Sequence, residues 1–324
     1  MNTYESLLAR IAADPTNDEP RLVCSDFLRA TDDARAELIQ AQIALTGRLD
    51  PARRGDFQRR VAALLEAHGD RWLKPLRDAQ AHDARFTRGF VEETRLSEEQ
   101  LARHGQALLT REPVHRLHVE TRDGKGLALA AGQPWFEQVR YLRLEGGAVE
   151  QATRALAAAP HASKLRGLTL AGVDDEALRA VAGSPGLGGL RSLCVASSEL
   201  SDDTAEALAK GKLALERLYL SGTGLSDEGA QALARGKGLA TLQLLALNRN
   251  ALSDEGAQAL ARSKTLLELT RLELSKNELS EEGALEFRSA KALPKLRRLE
   301  LLDMDLDQRE LEPLRKRLGA GLRL

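Results

Sequence analysis

Two short segments of the sequence contain residue types that could bind a metal ion. Residues 303–307 read DMDLD, which is how a calcium-binding loop begins. Such a loop needs Gly at its sixth position and Glu at its twelfth, and Gln308 and Leu314 stand there instead. His115 and His118 are three residues apart, and on a strand that spacing sends the two side chains to opposite faces. We therefore expect solvated acids around Leu306, and we expect neither a metal nor a cofactor.

Three further features could support catalysis or anion binding, and each has a plainer interpretation. Cys194 has no His or acid assured beside it, so a catalytic thiol is not predicted. Residues 183–190 read GSPGLGGL, but the segment lacks the Lys of a phosphate-binding loop. A basic patch shares its helix with Asp56 and Glu66, which favours a solvated face; its members are Arg53, Arg54, Arg59 and Arg60.

Composition excludes several classes of function. The formal net charge is −1 although 29% of residues are charged, whereas generic nucleic-acid binding needs a basic excess. No run of 18 apolar residues occurs, and the first residues, MNTYESLLARIAADP, contain acids and lack the apolar core of a signal peptide. Cys24 and Cys194 lie 170 residues apart, which favours reduced thiols. We expect a cytoplasmic monomer that binds neither nucleic acid nor membrane.

A repeated segment organises most of the chain. LSDEGAQALAR occurs at residues 225–235 and again at 252–262. The frame L-x-x-L-x-L-x-x-N-x-L surrounds these copies, and its second apolar position falls at residues 117, 142, 168, 193, 218, 245, 272 and 299. The spacing stays between 25 and 27 residues. This regularity is typical of a solenoid, in which each unit packs against its neighbours.

Each unit has the pattern of a short strand followed by a helix. The x-L-x-L stretch alternates apolar and polar residues, which predicts a strand buried on one face. After it, Ser226 can cap a helix, Asp227 lies at the positive end of the helix dipole, and Gly236 follows where the helix should end. Because one strand and one helix cannot bury their apolar faces alone, the units predict a continuous core.

Residues 114–306 resemble the leucine-rich repeat superfamily, in its ribonuclease-inhibitor-like variant with a helical outer layer. The resemblance implies an α/β fold, a solenoid with a curved parallel sheet inside and helices outside. The frame position that usually holds asparagine does so only at Asn250 and Asn277, and four other units hold Thr223, Ser198, Gly147 and Met304.

The first part of the chain has a different pattern, with helices predicted over roughly 2–13, 19–30, 33–47 and 52–68. It resembles the repeat-companion domain, a bacterial module found ahead of repeat arrays, with departures at Cys24-Ser25 and Phe27. This family has no activity that can be carried over. We expect a helical cap domain over residues 1–85 and a leucine-rich repeat domain over 86–324. The matching positions are Ile11, Asp14, Pro15, Arg21, Leu22, Val23, Asp26, Leu28, Arg35, Ala36, Glu37, Ile39 and Gln42.

The strand positions that point away from the core are the candidate binding residues. They should lie on the concave face, where large side chains flank a floor of small ones, as protein-binding surfaces do. The alternative is that neighbouring Arg and Glu side chains only pair across strands for solubility. The candidates are Arg116, His118, Tyr141, Arg143, Glu145, Arg217, Tyr219, Leu244, Arg271, Glu273, Arg298 and Glu300.

Three functions are compatible with this surface. The first is a non-catalytic scaffold or adaptor that binds a protein partner. The second is a specific inhibitor or antidote of an enzyme, which a strongly acidic face would favour against a basic nuclease, whereas the face here is mixed. The third is a regulator of the GTPase-activating type, which would need an edge-loop arginine that the sequence does not single out. Only fold-level analogy supports the second and third.

Overall fold

The computed structural model describes residues 3–289 and 293–324. The chain divides into two compact units. The first, here called the N-terminal unit, comprises Met1–Glu120 and Lys125–Leu142. The second, the repeat unit, comprises Thr121–Gly124 and Arg143–Leu324.

The N-terminal unit begins with five helices. The sequence pattern located the first four to within about four residues at each end, because proline, glycine and capping residues interrupt the chain between them. Thr3 caps the first helix, Asp32 the third and Asp50 the fourth, each by accepting a backbone N–H. The helices are α1 (Tyr4–Ala13), α2 (Glu19–Leu28), α3 (Asp33–Thr46), α4 (Pro51–Trp72) and α5 (Lys74–Asp78).

A hairpin and the first strand–helix segments complete the N-terminal unit. Strands β1 (Phe86–Thr87) and β2 (Phe90–Val91) pair antiparallel. Gly89 turns between them with a φ of 88°, and a Cβ there would collide with Ile39. The chain continues through β3 (Glu93–Ser97), α6 (Glu98–Leu109), β4 (Arg116–Thr121), α7 (Lys125–Ala131) and the start of β5 (Tyr141–Gly146), and β3 pairs parallel with β4.

The helices and the hairpin share one core. Phe90 of β2 is fully buried against residues of the first three helices, among them Leu7, Ile11 and Ile39. Trp72 closes a second cluster with Leu38 and Leu64. Because residues before and after position 85 contribute to the same clusters, the helical segment and the hairpin fold as one body.

Two ion pairs are buried inside the N-terminal unit. The guanidinium of Arg21, which is fully buried, binds the carboxylate of Glu92. Arg35 donates two hydrogen bonds of 2.9 Å to Glu112 and a third of 2.6 Å to the carbonyl of Gly89. These bonds join helices α2 and α3 to segments more than 50 positions later in the chain.

The repeat unit alternates strands with helices. It contains the rest of β5 and continues through α8 (Val149–Ala157), β6 (Gly167–Ala171), α9 (Asp175–Gly183), β7 (Ser192–Ala196), α10 (Asp202–Lys210), β8 (Arg217–Tyr219), α11 (Asp227–Arg235), β9 (Leu244–Ala246), α12 (Asp254–Ala261), β10 (Arg271–Glu273), α13 (Glu281–Leu285), β11 (Arg298–Glu300), α14 (Glu312–Leu318) and β12 (Leu322–Arg323). Strands β3–β12 belong to one ten-stranded parallel sheet.

The strand leucines form the core of the repeat unit. Leu218, Leu220, Leu245 and Leu247 all have 0% of their surface exposed. Equivalent residues are in register, since Leu218 pairs with Leu245 and Leu245 with Leu272. The predicted α/β fold, with one parallel strand in each repeat, is confirmed. Strands β3 and β12 extend the sheet at both ends beyond the units found in the sequence.

An asparagine ladder connects consecutive strand–loop segments. Asn250 donates to the carbonyls of Leu220 and Leu247 at 2.8 and 3.0 Å, and accepts the backbone N–H groups of Thr223 and Leu225 at 3.1 and 3.2 Å. Asn277 repeats this pattern one unit later. The Asn side chain thus forms hydrogen bonds with backbone groups of two consecutive repeats. This explains why the repeat pattern has Asn at this position.

An aspartate ladder connects consecutive helix starts. Asp227 accepts 2.9 Å bonds from the backbone N–H groups of Ser253 and Gly256 and a 2.6 Å bond from the hydroxyl of Ser253. Asp202 and Asp254 bind Ser226 and Ser280 in the same way. A Cβ at Gly256 would collide with the Asp227 carboxylate. In the repeated Ser-Asp-Glu-Gly sequence, Ser caps the helix and Asp accepts hydrogen bonds from the next repeat. Gly leaves space for the Asp carboxylate of the previous repeat.

Candidate functional site

The outward strand face of the repeat unit is formed by side chains that flank and separate the buried strand leucines. Backbone pairing aligns them in rows across neighbouring strands. In one row, Ser192 pairs with Arg217 and Arg217 with Leu244. In the next row, Cys194 pairs with Tyr219 and Tyr219 with Ala246. Adjacent members of a row are separated by the strand spacing of about 4.8 Å.

Arg217, Tyr219 and Leu244 lie together at the centre of this face. Arg217 is exposed, and the other two side chains are half-buried. Neither Arg217 nor Tyr219 makes a side-chain hydrogen bond, ion pair or ring contact with any residue in 3–289 or 293–324. A guanidinium with five donors and an aromatic ring are therefore left available to another molecule.

The C-terminal end of the face is different, because its charged residues bind one another. Arg271 contacts Glu273 at 2.6 Å and Glu300 at 2.9 Å, and Arg298 contacts Glu300 at 2.6 Å. Glu300 is only 9% exposed. Four of the twelve candidate residues thus form a closed network of two cations and two anions, as expected if they only neutralise each other.

Asn248 belongs to this network although the sequence did not single it out. Its amide donates to Glu273 at 3.0 Å, and its carbonyl oxygen accepts the backbone N–H of Ser275 at 2.8 Å. The only sequence signal was its outward position, two residues after Ala246. Arg249 follows in the left-handed conformation with a φ of 57° and is exposed.

The other end of the face, within the repeat unit, carries Arg143 and Glu145. Their side chains contact at 3.3 Å, and that of Arg143 is 52% exposed. An exposed pair of this kind contributes little to stability and is readily exchanged for another partner. Between Arg143 and Arg217 the outward positions hold only small side chains, including Thr169, Cys194 and Ala196.

Three candidates lie in the N-terminal unit. The guanidinium of Arg116 stacks on the ring of Tyr141 at 3.9 Å from its centroid, which is a cation–π contact. His118 is half-buried on the same strand as Arg116. His115, which points to the opposite side, is 1% exposed, and burial lowers its pKa to about 4.

The structure shows the surroundings of the other residues considered for chemistry. Burial raises the pKa of the Cys194 thiol, with Arg143 acting weakly in the opposite direction, so the reactive thiolate is disfavoured. Among residues 3–289 and 293–324, no group of three or more His, Cys, Asp or Glu side chains could hold a metal ion. Each arginine of the basic patch on α4 binds an acid or a backbone carbonyl.

The comparison with protein families is consistent with this geometry. The family model described as "Leucine Rich repeat" matches residues 214–234 and 238–261, which include β8, β9, α12 and all of α11 except Arg235. The match and the parallel sheet support a leucine-rich repeat protein. No curated protein matches the chain significantly. Leucine-rich repeats generally mediate protein–protein interaction and are generally non-catalytic.

Crossing a bilayer places a requirement on the length and composition of a helix. A spanning helix needs about 20 mostly apolar residues. Within 3–289 and 293–324, none of the helices is long and apolar enough to do so.

Proposed function

We propose that this chain is a non-catalytic protein-interaction module that binds a protein partner through its outward strand face. Arg217 and Tyr219, with Leu244 beside them and Arg143 three strands away, are the principal contact residues. The observation that carries the proposal is the absence of any partner for Arg217 and Tyr219 among the described residues. The described residues give these two side chains no hydrogen bond, ion pair or ring contact, while Leu218 and Leu220 beside them are fully buried.

Physical arguments favour this site for binding. Arg and Tyr are enriched among residues that dominate binding energy, because each combines a large contact surface with directional hydrogen bonds. Strands β7, β8 and β9 hold the backbone rigid through parallel pairing. Ordering on binding is then limited to side chains, at about 0.5–1.5 kcal/mol each.

The finer features of the chain are also proposed on this basis. We infer that the repeats are of the ribonuclease-inhibitor-like type, and that residues 1–85 belong to a repeat-companion domain. We infer a cytoplasmic location and a monomer. Arg116, His118 and Tyr141 are proposed as secondary contacts, and the network of Arg271, Glu273, Arg298 and Glu300 as a supporting surface.

Affinity purification with paired variants tests the proposal. The full chain, the Arg217→Ala/Tyr219→Ala variant and a control variant are immobilised and exposed to extract of the source organism. The control, Gln231→Ala/Arg235→Ala, alters α11 instead of the strand face. We expect a protein that is retained by the full chain and the control and lost by more than about tenfold with the strand variant. Equal retention by all three would place binding elsewhere.

A further inference from the structure

The charge on the outward strand face is unevenly distributed. Strands β6, β7, β8 and β9 carry no carboxylate at any outward position between 167 and 248. Arg217 lies within this region, and Arg143 and Arg249 lie at its borders. Glu216, which precedes β8, faces Arg191 at 3.9 Å. The central face therefore has a positive charge that the chain itself does not neutralise.

The same region is also apolar. Tyr219 is two residues from Arg217, so the two side chains leave the same face of β8 about 7 Å apart. Leu244 is in register with Arg217 on the next strand, and Ala246 with Tyr219. Ala246 is buried, so the uncompensated guanidinium borders an apolar patch made by the half-buried ring of Tyr219 and the half-buried side chain of Leu244.

We propose that the partner docks on this region with a segment in which an Asp or Glu side chain neighbours an apolar side chain. The carboxylate binds the guanidinium of Arg217, and the apolar side chain packs on Tyr219 and Leu244. This inference rests on the proposed function and specifies the chemistry of the partner. Residues spaced i, i+2 on a strand or i, i+4 on a helix lie about 6–7 Å apart, which matches the distance from Arg217 to Tyr219.

Charge complementarity is what selects this occupant. Arginine binds carboxylates through two parallel hydrogen bonds, which are stronger than neutral ones. A basic segment would be repelled, since no acid on β6–β9 faces outward to receive it. Nucleic acid is disfavoured because one ring, Tyr219, cannot stack successive bases, and because the region lacks a row of cations along which a phosphate backbone could run.

Selection from a peptide library tests this inference directly. A phage-displayed library of random peptides is panned against the immobilised full chain and against Arg217→Glu and Arg235→Glu variants. Arg235 is exposed on α11, so its substitution matches the change in net charge without altering the strand face. Circular dichroism verifies that both variants are folded.

We expect the full chain and Arg235→Glu to select peptides enriched in Asp or Glu next to apolar residues. A synthetic copy of a selected peptide should bind Arg217→Glu at least about tenfold more weakly than the full chain, and its affinity should fall with added salt. Arg235→Glu should change that affinity less than about twofold.

The outcomes separate this inference from the proposed function. Selected peptides that are neutral or basic, yet lose binding to Tyr219→Ala, would overturn the acidic chemistry and leave the site in place. Peptides that bind Arg217→Glu and Tyr219→Ala as tightly as the full chain would overturn both. A fluorescent single-stranded oligonucleotide that binds the full chain and loses binding to Arg217→Glu would show that the region recognises phosphate, and the inference would be wrong.

Discussion

The two units of the chain satisfy their buried polar groups in different ways. The N-terminal unit relies on ion pairs between residues distant in sequence, 71 positions apart for Arg21 and Glu92 and 77 for Arg35 and Glu112. The repeat unit relies on side-chain hydrogen bonds between neighbouring repeats, whose partners are 24 to 30 positions apart, as at Asp202 and Asn250. The first arrangement concentrates stability in a few contacts, and the second distributes it among many equivalent ones.

The positions of the tryptophans allow the two units to be followed separately. The chain contains two tryptophans, Trp72 and Trp135, and both belong to the N-terminal unit. Tryptophan fluorescence therefore reports the unfolding of that unit, whereas far-ultraviolet circular dichroism reports the whole chain.

The largest effect is expected from Glu112→Ala. Removing this carboxylate leaves the buried guanidinium of Arg35 without its bidentate partner and the N–H of Val91 without an acceptor. The free energy of unfolding of the N-terminal unit should fall by about 3–5 kcal/mol, measured by urea denaturation with tryptophan fluorescence.

The control is Glu37→Ala, which removes half of the exposed ion pair with Arg60 in the same unit. Its cost should not exceed about 1 kcal/mol. Equal costs for the two variants would mean that the buried ion pairs do not dominate the N-terminal unit, and the contrast between the units would be lost.

Leu245→Ala should produce the next largest effect, this time in the repeat unit. Leu245 is fully buried in the centre of the sheet, and its truncation removes apolar contacts and leaves a cavity. We expect a loss of about 2–5 kcal/mol in the transition followed by circular dichroism. Leu267→Ala, at a residue 45% exposed, should cost less than about 0.5 kcal/mol. Equal costs for the two variants would contradict the burial of Leu245 in the core of the repeat unit.

Asp227→Ala tests the aspartate ladder. The substitution leaves the N–H groups of Ser253 and Gly256 without their acceptor, and we expect a cost of about 1–3 kcal/mol by circular dichroism. Glu255→Ala changes an exposed acid on α12 and serves as the control. If Asp227→Ala and Glu112→Ala lower the free energy of unfolding equally, the repeat unit is no more tolerant of a lost contact than the N-terminal unit.

A smaller effect is expected from pH, through His115. Burial lowers the pKa of His115 to about 4, whereas an unfolded His titrates at about 6.5. Between these values the unfolded state binds more protons, so stability falls as the pH decreases. The contribution is about 1 kcal/mol between pH 6 and pH 5.

His115→Asn removes this dependence while keeping a donor for the carbonyl of Pro113, which lies 3.2 Å from Nδ1 of His115. The free energy of unfolding is compared at pH 6 and pH 5 by urea denaturation with tryptophan fluorescence. The difference should be about 1 kcal/mol smaller in the variant. An unchanged difference would assign the acid sensitivity of this unit to other groups.

The periodic part of the fold could be predicted because its cause is local. A leucine at every second strand position and a Ser-Asp-Glu helix start recur with each unit, so one correct assignment locates all the others. Strand β3 was missed because Thr94 stands where the frame expects a leucine. Strand β12 was missed because only two residues, Leu322 and Arg323, form it.

The pairing of charges could not be predicted, because it depends on distances that only the folded chain defines. Nothing near Arg35 in the sequence indicates that Glu112 is its partner. On the strand face, the sequence shows Tyr219 two residues after Arg217 and Glu300 at the equivalent position after Arg298. Only the structure shows that Glu300 binds both Arg298 and Arg271 of the neighbouring strand, whereas no described acid binds Arg217.

The aspartate ladder has a consequence for how this protein can evolve. Ser226 donates to the aspartate of the repeat before it, and Asp227 accepts from the serine of the repeat after it. Each copy can therefore bind another copy of itself. A gene segment that encodes these 27 residues can be duplicated in frame, and its product joins the array without a compensating mutation elsewhere. The identical sequences at residues 225–235 and 252–262 are the result expected from such a duplication. Each further copy would lengthen the exposed sheet by one strand and add new positions on which selection can act.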